Sequence, residues 1–207
     1  MILECFPVGP LQANCTVIGD ETTSEAVVID PGDQGPRIAE RLQELGLRLK
    51  EILLTHAHLD HAGATAVLCK ATGVALALHP ADLPLLESMG TQAAWMGMEA
   101  PEVHKPEVEL ADGSIVGLAG LPLKVIFTPG HTQGSCCLYS EQESLLIAGD
   151  TLFAGSIGRT DLPGGDFATI QSSLKRLMEL PDETRVICGH GPTTTIGRER
   201  ISNPYLR

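Results

Sequence analysis

The chain has 207 residues, 43% of them hydrophobic, enough to bury one sizeable core. Its 14 Lys and Arg stand against 26 Asp and Glu, a formal charge of −12, so the clustered cations that phosphate recognition needs are missing and nucleic acid is not an expected partner. No apolar run approaches the ~18 residues of a membrane span. Pro7 and Pro10 interrupt any signal helix in the N-terminal MILECFPVGP, which has no basic region. The six cysteines lie in apolar runs without a C-x-x-C pair, the pattern of reduced, mostly buried thiols. The expectation is one cytoplasmic domain over residues 1–207, with neither membrane nor nucleic acid as a partner.

In chain order, β-rich runs fall at 2–6, 15–18, 26–29, 51–54, 74–78, 123–127, 135–139, 144–147 and 185–188, many stopped by Gly, Pro or Asp. Helical spacing separates some of them. Ile38, Leu42 and Leu45 form a stripe after Pro36, a good first-turn residue. Residues 62–71 and 81–88 read as further helices. Phe167, Ile170, Leu174 and Leu177 form another stripe behind Asp166, a plausible N-cap. The acidic stretch 99–112 reads as a solvated loop, and 83–97, with Met89, Trp95 and Met96, as core or interface packing in preference to a substrate lid over the site.

The segment Thr55-His56-Ala57-His58-Leu59-Asp60-His61 carries the chemistry. Three imidazoles and a carboxylate within six residues are unfavourable to bury without partners and fill a core poorly. A divalent cation removes that difficulty, because neutral imidazole and carboxylate are its common ligands. By alternation, His56, His58 and Asp60 share one side of an extended segment, and His61 turns with the chain toward a neighbouring metal. The same order recurs downstream: LKVIFTPG leads to His131, SLLIAG to Asp150 and RVICG to His190. Gly130, Gly149 and Gly189 allow a tight turn before each one. His79 and His104 lack this context and read as surface or loop histidines.

His56, His58, Asp60 and His61 resemble the H-x-H-x-D-H motif of the metallo-β-lactamase superfamily, and His131, Asp150 and His190 match its downstream ligands. The resemblance runs from Asn14-Cys15 and the Asp30-Pro31-Gly32 turn to the last helix. It implies an α/β fold, a four-layer αββα sandwich of two mixed sheets with helices on the outer faces. It also implies two divalent cations, zinc first, with iron or manganese accepted by the same ligand set. One cation takes His56, His58 and His131; the other takes Asp60, His61 and His190; Asp150 bridges them. Two cations lower the pKa of a shared water from ~15.7 towards ~7, which suits attack on a carbonyl, with Asp60 orienting the nucleophile.

Position 58 is His where flavo-diiron oxidoreductases carry a carboxylate, and position 150 is Asp where classical zinc β-lactamases carry Cys. The acidic chain also lacks the basic exosite of ribonuclease-like members. Gly149-Asp150-Thr151-Leu152-Phe153, Gly155-Ser156-Ile157-Gly158-Arg159 and Gly189-His190-Gly191-Pro192-Thr193-Thr194 resemble compact members of the glyoxalase II group. That resemblance implies hydrolysis of a small-molecule thioester, S-lactoylglutathione or a similar acyl-glutathione. Asp161 and Pro192 stand where that group places its glutathione-contacting tyrosines. Arg159 stands at its cationic glutathione contact, as a substrate-binding residue or as the ion-pair partner of Asp161 or Asp166. The alternatives are a mononuclear-iron persulfide dioxygenase, whose signature Gly158-Arg159-Thr160-Asp161 also resembles, a hydrolase of another ester or lactone, and a binding module on the same scaffold.

Overall fold

A computed structural model describes residues 1–206; Arg207, the last residue of the expected domain, lies outside the described residues. The first half of the chain builds one six-stranded sheet. Its strands are β1 (Ile2–Val8), β2 (Ala13–Asp20), β3 (Glu25–Ile29), β4 (Arg48–Leu53), β5 (Ala75–Leu78) and β6 (Val108–Glu109), in that spatial order. β1 to β3 run antiparallel and β3 to β6 parallel. Each parallel step needs a crossover, and helices supply it: α1 (Gly35–Glu44), then α2 (Leu59–Ala62) with α3 (Thr65–Thr72), then α4 (Leu83–Glu87) with α5 (Met89–Trp95).

The second half builds a matching sheet from β7 (Ile115–Leu118), β8 (Leu121–Phe127), β9 (Cys136–Ser140) and β10 (Leu145–Gly149). A two-stranded ribbon, β11 (Leu152–Phe153) and β12 (Ser156–Ile157), and helix α6 (Phe167–Leu177) lead to β13 (Arg185–Cys188). β14 (Thr194–Thr195) and α7 (Ile196–Ser202) close the chain, giving the sheet order β14-β13-β10-β9-β8-β7.

Period-two alternation makes the layers. In β3, Val27 and Ile29 point to the space between the sheets, while Ala26 and Val28 face the helices. Leu53 of β4 faces inward and Ile52 outward. In β10, Leu145 and Ile147 meet the first sheet's inner face, and Leu146 and Ala148 pack under α6 and α7 with Ile170, Leu174 and Ile196. Sheets covered on both faces read as continuous apolar runs, as these do. The result is the metallo-β-lactamase fold, helix–sheet–sheet–helix, as the resemblance implies.

Some local expectations need correction. The helix expected over 62–71 breaks in two, because the Ala64 amide donates to the Pro31 carbonyl at 2.9 Å. The helix expected over 81–88 begins as a 3-10 turn, Pro80–Asp82, capped by the His79 ring. Asp166 does cap α6, accepting the Thr169 amide at 2.7 Å, yet Phe167 is 54% exposed, since it opens the helix where the chain enters from solvent. All six cysteines are free thiols, and only Cys5 is exposed.

Candidate metal centre

β8, β10 and β13 run in one direction, so their C-terminal ends share an edge with the end of β4 from the other sheet. His56 and His58 follow β4, and Asp60 and His61 sit in α2, whose first turn His58 precedes in extended conformation. Thus the expected alternation holds for His56 and His58, while Asp60 is brought round by a helical turn. His131 follows β8, Asp150 follows β10 directly, and His190 follows β13.

Six of the seven side chains meet in two trios. His56, His58 and His131 offer one ligand atom each within 4.8 Å of one another, and Asp60, His61 and His190 do the same. Asp150 lies between them: its Oδ2 is 3.5 Å from His131 Nε2 and its Oδ1 is 3.4 Å from His61 Nε2. Ring nitrogens face each other at 3.0 Å between His58 and His131 and at 3.2 Å between His61 and His190.

Four of the five imidazoles are aimed by a partner behind them. The Arg159 carbonyl sits 2.8 Å from His131 Nδ1, and the Leu11 carbonyl 3.0 Å from His190 Nδ1. Asp30 Oδ2 lies 3.0 Å from His61 Nδ1, and Thr55 Oγ1 lies 3.0 Å from His56 Nδ1. Holding Nδ1 leaves Nε2 as the free donor on four of the rings, the arrangement metal-ligating histidines require. His58 alone turns Nδ1 inward.

The donor set fits cations. His56 Nε2 and Asp150 Oδ1 are buried without a hydrogen-bond partner among the described residues, a costly state that a bound cation removes. Burial, reinforced by His61, presses His56 well below the ordinary histidine pKa, and burial followed by His131 takes His58 down to about 3. Neutral imidazoles are ligands without a proton to lose. Around the other trio the carboxylates dominate. Burial alone would lower the pKa of His61, but Asp150 and Asp30 outweigh it and raise it to about 10. Burial pushes Asp60 up, yet the His190 hydrogen bond and the charge of His61 hold its carboxyl well below the usual range. Positive charge is favoured there, and a cation supplies it in place of protons.

Sequence reading gave no role to the residues that fix these loops, although Asn14 and Asp30 lay within the family resemblance. Buried Asp82 accepts from the Ala57 amide (2.9 Å), Thr132 Oγ1 (2.8 Å) and the Gly134 amide (2.6 Å), joining the two loops that carry His56, His58 and His131. Asp30 accepts the Thr55 amide at 2.7 Å as well as facing His61. Asn14 strands the His190 loop against β2, donating to the Cys188 carbonyl at 2.9 Å and the Gly191 carbonyl at 3.0 Å. Gln92 of α5 accepts the Leu59 amide at 2.9 Å. Lone Asp, Asn and Gln residues carry no local pattern, though Asp82 at the end of H-P-A-D, three residues after His79, was open to view.

The anticipated glycines act differently from one another. Gly149 has φ +49°, the left-handed region a turn requires. Gly189 is needed for close approach instead, because a Cβ there would overlap the Asp150 carboxylate. His79 lies in the loop after β5, as expected, half-buried and stacked on Phe127 with ring centroids 4.2 Å apart; His104 pairs with Glu107 at 2.9 Å. Neither joins the trios.

Two clefts flank the centre. One is lined by Asp60, Leu11, Asp33 and Glu99, the other by His58, Trp95, Leu162 and Arg159, and Met96 borders both. Met89 is core, as expected for 83–97, whereas Trp95 and Met96 are exposed at the site. Arg159 pairs with Asp161, Nε to Oδ1 at 2.8 Å and Nη2 to Oδ2 at 2.7 Å.

Residues 8–190 match the model of the metallo-β-lactamase superfamily. The chain belongs to that superfamily. Within it, the hydroxyacylglutathione hydrolase GloC of Haemophilus influenzae is 40% identical over all of this chain and 98% of its own length. Among solved metallo-β-lactamase folds, the BLEG-1 B3 metallo-β-lactamase superposes with a TM-score of 0.92 at 35% identity, covering 99% of both chains. TTHA1623, crystallised in a di-iron-bound form, gives 0.89 at 42% identity over 97% of this chain and 98% of its own. ETHE1 from Myxococcus xanthus gives 0.83 at 30% identity over 99% of this chain and 84% of its own. The His/Asp cluster is therefore a metal-binding centre of a metallo-hydrolase fold.

Proposed function

We propose that this chain hydrolyses small-molecule acyl thioesters at a two-metal centre, with S-lactoylglutathione and related acyl-glutathiones as the first candidates. The observation that carries the reading is the position of Asp150 between the trios: its Oδ2 lies 3.5 Å from His131 of one and 3.7 Å from His190 of the other, and its Oδ1 3.4 Å from His61. His56, His58 and His131 would hold one cation, Asp60, His61 and His190 the other, and Asp150 both; zinc, iron and manganese suit the set. Bound cations supply an activated water at neutral pH and polarise the carbonyl under attack.

The chain's own groups do the rest. Asp60 Oδ2, 3.1 Å from His190 Nε2 and lining a cleft, is placed to accept a hydrogen bond from an attacking water and to orient it. The partners behind the imidazoles keep the donors fixed, so little reorganisation is needed during reaction. A thioester suits a site without a dedicated general acid, since a thiolate of pKa ~8.5 leaves unaided. Arg159 lines the cleft beside His58 and is the candidate contact for a substrate carboxylate, with Asp161 competing for it. GloC, similar along its whole length, supports the glutathione thioester.

The single-iron persulfide reading leaves Asp60, His61 and His190 without a role, although the likeness to ETHE1 keeps it in the test. The metal-loaded protein is to be assayed on thioester, lactone, phosphodiester and β-lactam substrates, the last because of BLEG-1. Thioester cleavage at rates far above the others is the expected result; preference for any other class refutes the reading. The reaction is placed on soluble small molecules in the cytoplasm; among the described residues no helix is long and apolar enough to cross a membrane.

A further inference from the structure

The cleft beside His58 is a cavity of about 250 Å³, walled by Leu85, Trp95, Met96, Leu162 and Pro163. Fully enclosed ligand sites run to ~300–1,000 Å³, so this one suits an arm of a substrate. Apart from His58, which belongs to the metal centre, its polar side chains already have partners within the protein. Gln92 accepts the Leu59 amide and donates to the Leu85 carbonyl at 2.9 Å, and Ser88 Oγ donates to that same carbonyl at 2.7 Å. Arg159, the one Lys or Arg among the described residues of the lining, gives Nε and Nη2 to Asp161, so a substrate carboxylate has to compete for it. The same pairing holds the Asp161 pKa down at about 2. Meanwhile Trp95 is 68% and Met96 44% exposed, a large apolar surface at the mouth of a polar centre. A glutathionyl group, with two carboxylates and an ammonium, finds few partners here, whereas an alkyl or aryl group finds walls.

We propose that this cavity binds an uncharged, apolar arm of the thioester, on its acyl or its thiol side, and that Trp95, Met96 and Leu162 set the preference for it. The proposal rests on the thioester reading and sharpens it: S-lactoylglutathione is a poorer substrate than a thioester with an apolar end. Trp95 is the only tryptophan in the chain, so its fluorescence reports on the cavity directly.

The test compares kcat/KM of the metal-loaded enzyme in two series. One lengthens the acyl arm from lactoyl to butyryl to hexanoyl on glutathione; the other replaces glutathione by benzyl mercaptan on the lactoyl group. A rise on the order of tenfold in one series is expected, identifying the arm. Trp95→Ala and Leu162→Ala should collapse the ratio of apolar-ended to lactoylglutathione activity in that series. Titration with the thioether analogue of the best substrate should change Trp95 fluorescence, with weaker binding in Leu162→Ala. No rise in either series, or a ratio that both variants preserve, overturns the proposal. If no thioester is cleaved, the parent reading fails, and fluorescence still decides the cavity. Titration of S-hexanoyl- and S-lactoylglutathione then supports apolar binding if the hexanoyl compound alone gives a change that Leu162→Ala weakens, and overturns it if it gives none.

Discussion

Asp82 accepts the amide hydrogen of Ala57 at 2.9 Å, so a carboxylate from beyond β5 fixes the peptide between His56 and His58. The same group holds Thr132 and Gly134 just after His131. One buried side chain therefore sets the spacing of a whole trio without touching it.

Asp82→Ala leaves the buried amides of Ala57 and Gly134 unsatisfied, while Thr132 Oγ1 keeps Ser135 Oγ at 2.7 Å, and loss of one such partner costs about 1–3 kcal/mol. Metal affinity at His56, His58 and His131 should fall by roughly 10–100-fold, the usual effect of losing an outer partner. Chelator competition on the purified variant measures it. Retention of wild-type affinity would show that the loops hold themselves.

Gly189→Ala is predicted to abolish activity through one methyl group, because the new Cβ meets the Asp150 carboxylate and nearby His61. Displacing Asp150 disturbs both trios at once. Metal content and kcat should fall together while far-ultraviolet circular dichroism stays unchanged. A fully loaded, active variant would contradict the placement of Asp150.

The sequence made much of this visible for a physical reason. Ligand residues are a poor choice for a core, so His56, His58, Asp60 and His61 stood out, and apolar runs such as 145–147 announced strands buried on both faces. Short strands such as β6 and β14 were hidden, since two residues carry no periodicity and owe their pairing to neighbours. The roles of Asp30 and Asp82 were hidden likewise: one carboxylate becomes meaningful only when a distant loop supplies its donors. Trp95 was read as packing because exposure at a metal centre is a tertiary fact.

The Glu4–Arg41 ion pair ties β1 to α1 and gives a pH-dependent contribution to stability. The Arg41 hydrogen bond lowers the Glu4 pKa, outweighing partial burial. A depressed folded pKa means the stabilisation is present above the ordinary glutamate value and is lost as pH falls through the lowered one. The melting-temperature gap between wild type and Glu4→Gln should therefore be open at pH 7 and close in acid. A gap that widens in acid would reverse the sign.

Removing cations should lower the melting temperature as well as the activity, because bound ligand stabilises by RT ln(1 + [L]/Kd), about 2.7 kcal/mol at one hundred times Kd. Without cations, His56 Nε2 and Asp150 Oδ1 return to burial without partners. Scanning calorimetry before and after chelation, with zinc, iron or manganese added back, measures the shift. Equal melting temperatures would mean that the trios bind nothing strongly.

The most direct measurement is metal content per chain, taken alongside thiol release from S-lactoylglutathione, for wild type and His190→Ala. The account predicts about two cations in the wild type, about one in the variant, and thiol release that falls with the loss. One iron per chain in both, with oxygen uptake on glutathione persulfide, would contradict it.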